Sequence, residues 1–338
     1  MDTVTTTWLT ALLGVEGLEE GESVHVRGRE IVVRDGIPRV TQDVSDDQAA
    51  TREMFGYKWT QEDTFTRPKA LELMRGWLES RYGRVADAPW WDEYGERPLV
   101  LDVGCGAGVS GLEVFGPMGD RIRYLGVDLT PAVAVARRRF REAGLHDAEF
   151  MQADLRKLPL EPGSVDVIFA EGVLHHTDST EGALKAVAPL LRPGGRILFY
   201  VYRRKSLIRE FTDDAIRARL QEMTPEEAWK ALEPLTKLGI ALGELNVEIE
   251  IPEDIDLLGI KAGRVDLQRF FYYDIAKAYY DPDMTFGEMH HINFDWYAPK
   301  FAFRQTEEEV RRWCDEAGLE VEHEHIHQSG ITIIARRR

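Results

Sequence analysis

The hydrophobic pattern between residues 97 and 202 alternates between short, continuous apolar runs and longer segments with helical spacing. Five of these runs are rich in β-branched and aromatic residues and predict buried strands: PLVLDVG, RIRYLGVDL, AEFMQADL, SVDVIFAEGVL and RILFYVY. Helical segments such as PAVAVARRRFREAGL separate them, with a proline in the first turn and a glycine at the end. Because strands that alternate with helices pair in parallel through right-handed crossovers, the pattern predicts an α/β fold with a doubly wound, mostly parallel sheet.

The βα alternation stops between residues 203 and 305, a connection too long for a simple loop within a compact sheet. It resumes with TEEEVRRWCDEAGL, which predicts a helix with an N-terminal capping box. The remaining EVEHEHIHQSGITIIARR predicts a terminal hairpin with a turn at QSG.

These boundaries divide the chain into three parts. Residues 1–66 are predicted to be an N-terminal leader segment, and residues 67–203 together with 304–338 to form the sheet domain. Residues 204–303 are predicted to form an inserted, mainly helical lobe that covers the substrate. We expect this lobe at the carboxyl ends of the strands, because the insertion leaves the sheet there after the fifth strand.

The composition is that of an ordinary folded protein, with 43% hydrophobic and 30% charged residues among 338. Its formal net charge of −17 opposes the attraction to phosphate on which nucleic-acid binding depends, so we expect no nucleic-acid partner. No apolar run reaches the roughly 18 residues that a membrane span needs, and the first residues lack the basic start of a signal peptide. We therefore expect a cytoplasmic protein without a membrane partner, and we leave a homodimer open.

Two cysteines, Cys105 and Cys314, lie far apart and lack the spacing of metal ligands. Their number fits a reducing compartment and excludes a disulfide scaffold or a zinc ribbon. His323, His325 and His327 alternate along the predicted edge strand and so share one face. A metal site is one interpretation of that face, but we expect a solvated face and no metal.

The run that follows the first predicted strand has a glycine at every second position: Gly104, Gly106 and Gly108. Such glycines let a ligand lie against the backbone at the carboxyl edge of a parallel sheet. Asp128 ends the second strand about 20 residues later, where an acid accepts hydrogen bonds from ribose hydroxyls. An acid at Asp102 would repel a pyrophosphate but suits an ammonium group, and this favours S-adenosylmethionine.

Five segments in order resemble the motifs of class I S-adenosylmethionine-dependent methyltransferases: LDVGCGAG, YLGVDLTP, MQADLRKLPL, VDVIFAEGVLHHT and LLRPGGRILFY. The resemblance covers residues 97–202 and 306–338, and it implies a seven-stranded Rossmann-like sheet with a reversed last strand. It implies that the glycine turn holds the methionyl part of the cofactor, Asp128 the ribose, and Asp154 with the Leu155 amide the adenine. The full set of cofactor contacts that we expect is Tyr57, Asp102, Gly104, Gly106, Gly108, Asp128, Leu129, Asp154, Leu155 and Glu171.

Residues 28–65 resemble a leader seen in some bacterial methyltransferases, in which DGIPR derives from a small zinc-ribbon-like activator module. Such modules carry paired cysteines, and this segment has none, so we expect a relic that packs without zinc. The sequence FGYKW would place Tyr57 and Trp59 over the cofactor, and packing in the core is the alternative fate of both rings.

The cofactor carries the reactive methyl group, so the protein needs only to align a nucleophile and take its proton. A histidine is suited to that step because its pKa lies near neutrality. The candidate bases or substrate-orienting groups are His175, His176, His290 and His291. The residues expected to bind the substrate are Tyr202, Arg203, Tyr272, Tyr273 and Trp296, unless these aromatic rings simply fill the core of the lobe.

Three functions are compatible with this sequence. The lobe and the acidity favour an enzyme that methylates a small molecule at an oxygen, nitrogen, carbon or sulfur atom. A protein or RNA methyltransferase would instead present an open, charged groove. A relative that binds the cofactor without transferring methyl would show tight binding and no turnover.

Overall fold

The structure is a computed structural model that describes residues 7–41, 45–58 and 66–338. Its strands are β1 (Ser23–Val26), β2 (Arg29–Arg34), β3 (Ile37–Thr41), β4 (Leu99–Val103), β5 (Arg123–Asp128), β6 (Glu149–Gln152), β7 (Val165–Glu171), β8 (Leu191–Tyr202), β9 (Glu248–Ile251), β10 (Gly263–Asp266), β11 (Leu319–Ile326) and β12 (Gly330–Arg337).

The helices surround the sheet or build the inserted lobe. They are α1 (Trp8–Leu13), α2 (Asp46–Lys58), α3 (Pro68–Tyr82), α4 (Val109–Phe115), α5 (Val133–Glu142), α6 (Thr180–Val187), α7 (Leu207–Leu220), α8 (Pro225–Glu244), α9 (Leu267–Phe270), α10 (Phe286–Tyr297) and α11 (Glu307–Glu316). A single π-helical turn, Phe271–Ile275, continues α9.

The large sheet has the strand order β1-β2-β3-β6-β5-β4-β7-β8-β12-β11. Strands β4 to β8 are parallel to one another, whereas β12 is antiparallel to β8 and to β11. This topology confirms the predicted doubly wound α/β fold with an antiparallel terminal hairpin. The seven predicted strands are β4 to β8, β11 and β12.

Three further strands come from the leader, and the hydrophobic pattern did not predict that they join the sheet. They form an antiparallel meander, and β3 then pairs in parallel with β6 through Arg39 and Gln152. The leader is also held by side chains: Trp8 donates its indole hydrogen bond to the Asp147 carbonyl at 2.9 Å. That this segment derives from a zinc-ribbon-like module stays a prediction.

Apolar side chains of the central strand β4 alternate between two layers, one on each face of the sheet. Leu99, Leu101 and Val103 are fully buried on one face, together with residues of α1, α6 and α11. Val100 faces the opposite layer, which includes Phe169 of β7 and aromatic residues of the lobe. Burial on both faces explains why these strands read as continuous apolar runs.

The inserted lobe consists of α7, α8, the β9-β10 hairpin, α9 with its π-helical turn, and α10. Helix α10 packs on α8 and also contacts α7 and α2. At the centre of the lobe, the buried Asp213 carboxylate pairs with Arg209 and accepts hydrogen bonds at 2.8 Å from Trp296 and Tyr297. These contacts join α7 to α10. The lobe lies over the carboxyl end of β8, where the Tyr202 hydroxyl donates to Asp295 of α10.

Candidate functional site

The turn after β4 brings bare backbone to the carboxyl edge of the sheet. Gly104 has φ +72°, and a Cβ there would lie 2.2 Å from the side chain of Val173. Its amide donates to the Val127 carbonyl at 2.7 Å, which ties the turn to β5. Gly108 has φ +78°, and a Cβ there would lie 2.9 Å from Ala136. Only glycine satisfies both the backbone conformation and the close approach at these two positions.

Asp128, at the end of β5, joins this turn to the next loop. Its carboxylate accepts from the Gly106 amide at 2.9 Å and from the Thr130 amide and hydroxyl at 2.8 and 2.7 Å. Burial raises the pKa of Asp128, while these hydrogen bonds favour the ionised form. A carboxylate has about four acceptor positions, so Asp128 keeps room for a ligand hydroxyl.

Asp154 follows β6 and begins the short helical turn Leu155–Lys157. Its carboxylate accepts from the Arg156 amide at 2.9 Å and from the Arg156 guanidinium at 2.8 Å. This pairing fixes the turn, and Leu155 lines the same cavity wall as Leu129.

Asp102 lies behind the glycine turn. The hydroxyl of Tyr124 donates to its carboxylate, and a Cβ on Gly111 of α4 would lie 2.5 Å from the same carboxylate oxygen. Burial raises the pKa of Asp102 to about 7. The side chain of Asp102 lies beside Tyr124 in the packed layer on one face of the sheet, and Asp102 does not line the cavity. This geometry therefore does not support the expected direct contact with a ligand ammonium.

Glu171 ends β7 and is anchored by α3, an element outside the five motifs. Its carboxylate forms an ion pair with Arg81 and accepts from the Tyr82 hydroxyl at 2.5 Å. The Arg81 guanidinium also lies 3.9 Å from the centre of the Tyr200 ring. Burial acts to lower the pKa of Arg81, but the neighbouring Glu171 raises it above the usual value. No motif marked Arg81, since its role depends on how α3 docks.

These elements enclose a cavity of about 650 Å³ between the carboxyl ends of the strands, α2, α3 and the lobe. The structure brings most of the predicted residues together on its wall: Gly104, Gly106, Asp128, Leu129, Asp154, Leu155, Glu171, His176, Tyr202, Tyr272, Tyr273, His291 and Trp296. The predicted residues that do not line it are Tyr57, Asp102, Gly108, His175, Arg203 and His290.

Only one histidine of the first pair reaches the cavity. His176 places Nδ1 2.7 Å from the Phe301 carbonyl, while its Nε2 has no hydrogen-bond partner among the described residues. Burial lowers the pKa of His176 to about 4. His175 lies behind it, fully buried, with its ring 3.8 Å from that of Tyr202, and burial lowers its pKa well below the usual value.

The second pair divides in the same way. His290 places Nδ1 2.7 Å from the Thr236 hydroxyl and Nε2 3.0 Å from the Trp229 carbonyl, so both ring nitrogens are engaged inside the lobe. The neighbouring His291 lines the cavity, and burial lowers its pKa. The position of His290 on α10 explains the difference, because consecutive helical residues point about 100° apart. A role for His290 as a base is therefore not supported.

Two other predicted residues are also engaged elsewhere. Tyr57 packs its ring 6.2 Å from that of Trp229, in the core between α2 and the lobe. Arg203 forms a 2.6 Å ion pair with Glu307, which ties the end of β8 to α11. Trp59, the companion of Tyr57 in the sequence prediction, lies outside the described residues.

The half of the cavity next to the lobe contains a pair of tilted aromatic rings at the junction of sheet and lobe. The rings of Tyr202 and Trp296 lie 4.3 Å apart, and the Tyr202 hydroxyl donates to Asp295 at 3.1 Å. Asp295 also forms a 2.5 Å ion pair with Lys58 of α2. Burial opposes ionisation, but Lys58 holds the pKa of Asp295 well below its usual range.

The terminal hairpin contributes to the same half. His325 and His327 line the cavity, whereas His323 places Nε2 2.8 Å from the Arg81 carbonyl. His323 and His327 are exposed, as expected for a solvated face, whereas His325 is half-buried. Across residues 7–41, 45–58 and 66–338, no group of three His, Cys, Asp or Glu side chains is placed to hold a metal ion.

Besides Lys58, sequence inspection missed two further lysines on the cavity wall, Lys205 and Lys277. Lys277 is only 7% exposed, and burial lowers its pKa to about 7. Burial also lowers the pKa of Lys205 well below the usual value. Neither lysine belongs to a motif, and only the folding of the lobe over the sheet brings them to the cavity.

Comparison with known proteins identifies the central segment. Residues 101–199 match the family described as methyltransferase domain. The chain is 32% identical over 161 residues to probable tRNA methyltransferase 9B of Mus musculus, which covers 43% of this chain and 33% of that protein. It is 28% identical over 156 residues to a ubiquinone biosynthesis O-methyltransferase of Acinetobacter baumannii, which covers 45% of this chain and 60% of that protein.

Among solved structures, the magnesium protoporphyrin IX methyltransferase of Synechocystis matches 88% of this chain and 100% of its own, with a TM-score of 0.45 and 13% identity. The chain thus spans less than two thirds of either curated relative named above. Within the described part of the chain, no helix combines the length and apolar character needed to cross a bilayer.

Proposed function

We propose that this chain, whose residues 101–199 form a class I S-adenosylmethionine-dependent methyltransferase domain, transfers a methyl group from S-adenosylmethionine to a small molecule. The observation that carries this proposal is the single cavity of about 650 Å³, in which the glycine turn and Asp128 share a wall with the aromatic residues of the lobe. A cofactor and an acceptor would meet in one shared cavity.

The residues present fit S-adenosylmethionine, the cofactor of this domain family. The bare backbone at Gly104 and Gly106 suits close approach of the methionyl chain, and Asp128 suits the ribose hydroxyls. Leu129 and Leu155 offer apolar contact for the adenine, with Asp154 beside them. When bound, the cofactor supplies a methyl group on a positively charged sulfur, which is an electrophile in its own right.

The task left to the protein is to orient the acceptor and to accept its proton. Since a carbonyl oxygen can only accept, the hydrogen bond to Phe301 places the proton of neutral His176 on Nδ1. Its Nε2 then carries a lone pair and is the atom that would take a proton from a hydroxyl, amine or thiol. His291 of α10 lines the same cavity from the lobe. We therefore assign the orienting or base role to His176, with His291 on the opposite wall.

A macromolecular acceptor is the alternative that the likeness to a tRNA methyltransferase raises. Two observations speak against it: the lobe closes over the carboxyl ends of the strands, and the net charge of −17 opposes binding to phosphate. A protein that only binds the cofactor would not need the part of the cavity that is lined by aromatic residues of the lobe.

The proposal is tested with S-adenosylmethionine labelled in its methyl group. The protein is incubated separately with a small-molecule extract of its source organism, with total tRNA and with total protein. We expect label only in the small-molecule fraction, and less label with Asp128→Ala as the matched variant at a sub-saturating cofactor concentration. Label in tRNA or protein would support the alternative acceptors, and cofactor binding without transfer to any pool would contradict the proposal.

A further inference from the structure

The acceptor half of the cavity carries cationic side chains that no carboxylate neutralises. Lys277 forms no ion pair with any carboxylate of the described residues. Its side chain is 7% exposed, and its ammonium lies 4.8 Å from the centre of the Trp296 ring. A buried ammonium without a counter-charge costs free energy, so this position is suited to a ligand that supplies one.

The acids nearest to Lys277 are already engaged with other cations. Asp295 of α10 pairs with Lys58 at 2.5 Å. Asp213 of α7 pairs with Arg209 at 2.8 Å and accepts two further hydrogen bonds from the lobe. Both carboxylates raise the pKa of Lys277 through longer-range electrostatic attraction. Neither forms an ion pair with Lys277, because each is already paired with another cation.

The other charged groups around Lys277 are positive. Arg209 and Arg217 of α7 both act against the protonation of Lys277, and Lys277 acts against the protonation of Lys205. Lys205 donates its ammonium hydrogen bonds to the main-chain carbonyls of Gln328 and Ser329 at the β11-β12 turn, and these carry no net charge. The acceptor half of an acidic protein therefore has a local excess of positive charge.

The surrounding walls are aromatic and favour a flat ligand. Tyr272 packs edge-to-face on Tyr273 with ring centres 4.7 Å apart and on Tyr279 at 5.8 Å. Trp296 and Tyr202 form a second aromatic pair on the cavity wall, with ring centres 4.3 Å apart. Faces and edges of this kind bind planar rings in preference to flexible aliphatic chains.

We propose that the acceptor is a planar aromatic molecule that carries a carboxylate, and that Lys277 binds this carboxylate. The inference rests on the proposed function and narrows its substrate class. A single negative charge is specified because Lys277 is the one buried cation of this wall that forms no ion pair with a carboxylate of the described residues.

Binding of a carboxylate at Lys277 changes the protonation of the lysine amine. Because burial lowers the pKa of Lys277 to about 7, its amine is largely neutral at pH 8 in the free protein. A carboxylate beside it restores the charged form. Binding at pH 8 is therefore expected to take up about one proton per ligand, and affinity is expected to fall as the pH rises above 7.

The test is calorimetry at pH 8 on the protein saturated with S-adenosylhomocysteine, in two buffers of different ionisation enthalpy. The probes are hydroxybenzoates, aminobenzoates and indole carboxylates, each compared with its primary amide, together with phenyl phosphate. We expect at least one acid to bind about tenfold or more tightly than its amide, with uptake of a proton. We expect Lys277→Met to lose that preference and Lys277→Arg to keep the affinity without the proton uptake.

Binding of S-adenosylhomocysteine to each variant checks that the site is folded. Should Lys277→Met fail this check, Lys277→Arg still tests the proton uptake. The inference is overturned if the amides bind as well as the acids, if phenyl phosphate binds best, if Lys277→Met keeps the preference, or if no acid binds to the loaded protein. Methyl transfer to a neutral acceptor would overturn it and leave the proposed function intact, whereas failure to bind the cofactor would remove the proposed function itself.

Discussion

Nδ1 of His176 lies 2.7 Å from the carbonyl oxygen of Phe301, which fixes the imidazole between the end of β7 and the segment that returns from the lobe. The hydrogen bond assigns the proton of the neutral ring to Nδ1 and leaves Nε2 as the nitrogen with a lone pair. A segment far away in the chain thus determines which nitrogen can act on a substrate.

We expect His176→Ala to lower turnover by roughly 10²–10⁴-fold while cofactor affinity stays nearly unchanged, since the variant removes only an orienting or proton-accepting group. His176→Asn is the matched variant, because its amide retains a donor near the position of Nδ1 but has no acceptor at Nε2. His290→Ala is the contrast: it breaks two hydrogen bonds inside the lobe and should lower stability and activity together. Wild-type turnover in both His176 variants would show that catalysis depends on alignment alone.

Asp128→Ala is expected to weaken S-adenosylmethionine binding by about 1.5–3 kcal/mol, because it removes charge-assisted hydrogen bonds to the ligand. Calorimetry on the purified protein measures this difference. Asp120→Ala serves as the control, since Asp120 lies outside the cavity wall. An unchanged affinity in Asp128→Ala would remove the assignment of this carboxylate to the cofactor.

Gly104→Ala is expected to abolish measurable cofactor binding. The new Cβ would lie 2.2 Å from Val173 in a backbone of φ +72°, so the turn must move. Gly144→Ala is the control for strain alone, because Gly144 has φ +83° and its Cβ would meet no atom within 4 Å. Equal losses of binding in the two variants would mean that general destabilisation, not the shape of the turn, explains the effect.

Asp213→Ala is expected to destabilise the lobe by about 3–5 kcal/mol, because it leaves the Arg209 guanidinium buried and unpaired. Chemical denaturation followed by tryptophan fluorescence reports this, since the Trp296 indole donates to the same carboxylate. Asp254→Ala removes an exposed ion pair to Lys261 and should change stability far less than Asp213→Ala. Similar losses in both variants would contradict the central role of Asp213.

Asp102 makes stability depend on pH. Burial raises its pKa to about 7, so the folded protein keeps a proton that the unfolded chain releases near pH 4. The contribution of this group is therefore fully present below about pH 4 and is lost as the pH rises to about 7. Urea denaturation between pH 4 and pH 8 should show a smaller decline for Asp102→Asn than for the wild type. Parallel pH profiles would mean that Asp102 is ionised throughout.

The hydrophobic pattern was sufficient to predict the strands of the central sheet. Each parallel strand is buried on both faces, so its sequence is a continuous run of apolar residues. The pattern did not predict that β1 to β3 extend the sheet. Strand β3 pairs with β6 at Arg39 and Gln152, which lie far apart in the chain, and no local signal corresponds to that pairing.

The sequence by itself determined the fold class, the class of cofactor and the strand ends that form the cofactor half of the cavity. It could do so because glycines at the end of a strand and an acid at the end of the next are local requirements of backbone shape and hydrogen bonding. Only the tertiary structure decided which histidine of each pair reaches the cavity, that Asp102 and Tyr57 face away from it, and that Arg81 and Lys277 lie on its wall. These outcomes depend on how α3 and the lobe dock over the sheet, and docking is set by contacts between residues that are far apart in the chain.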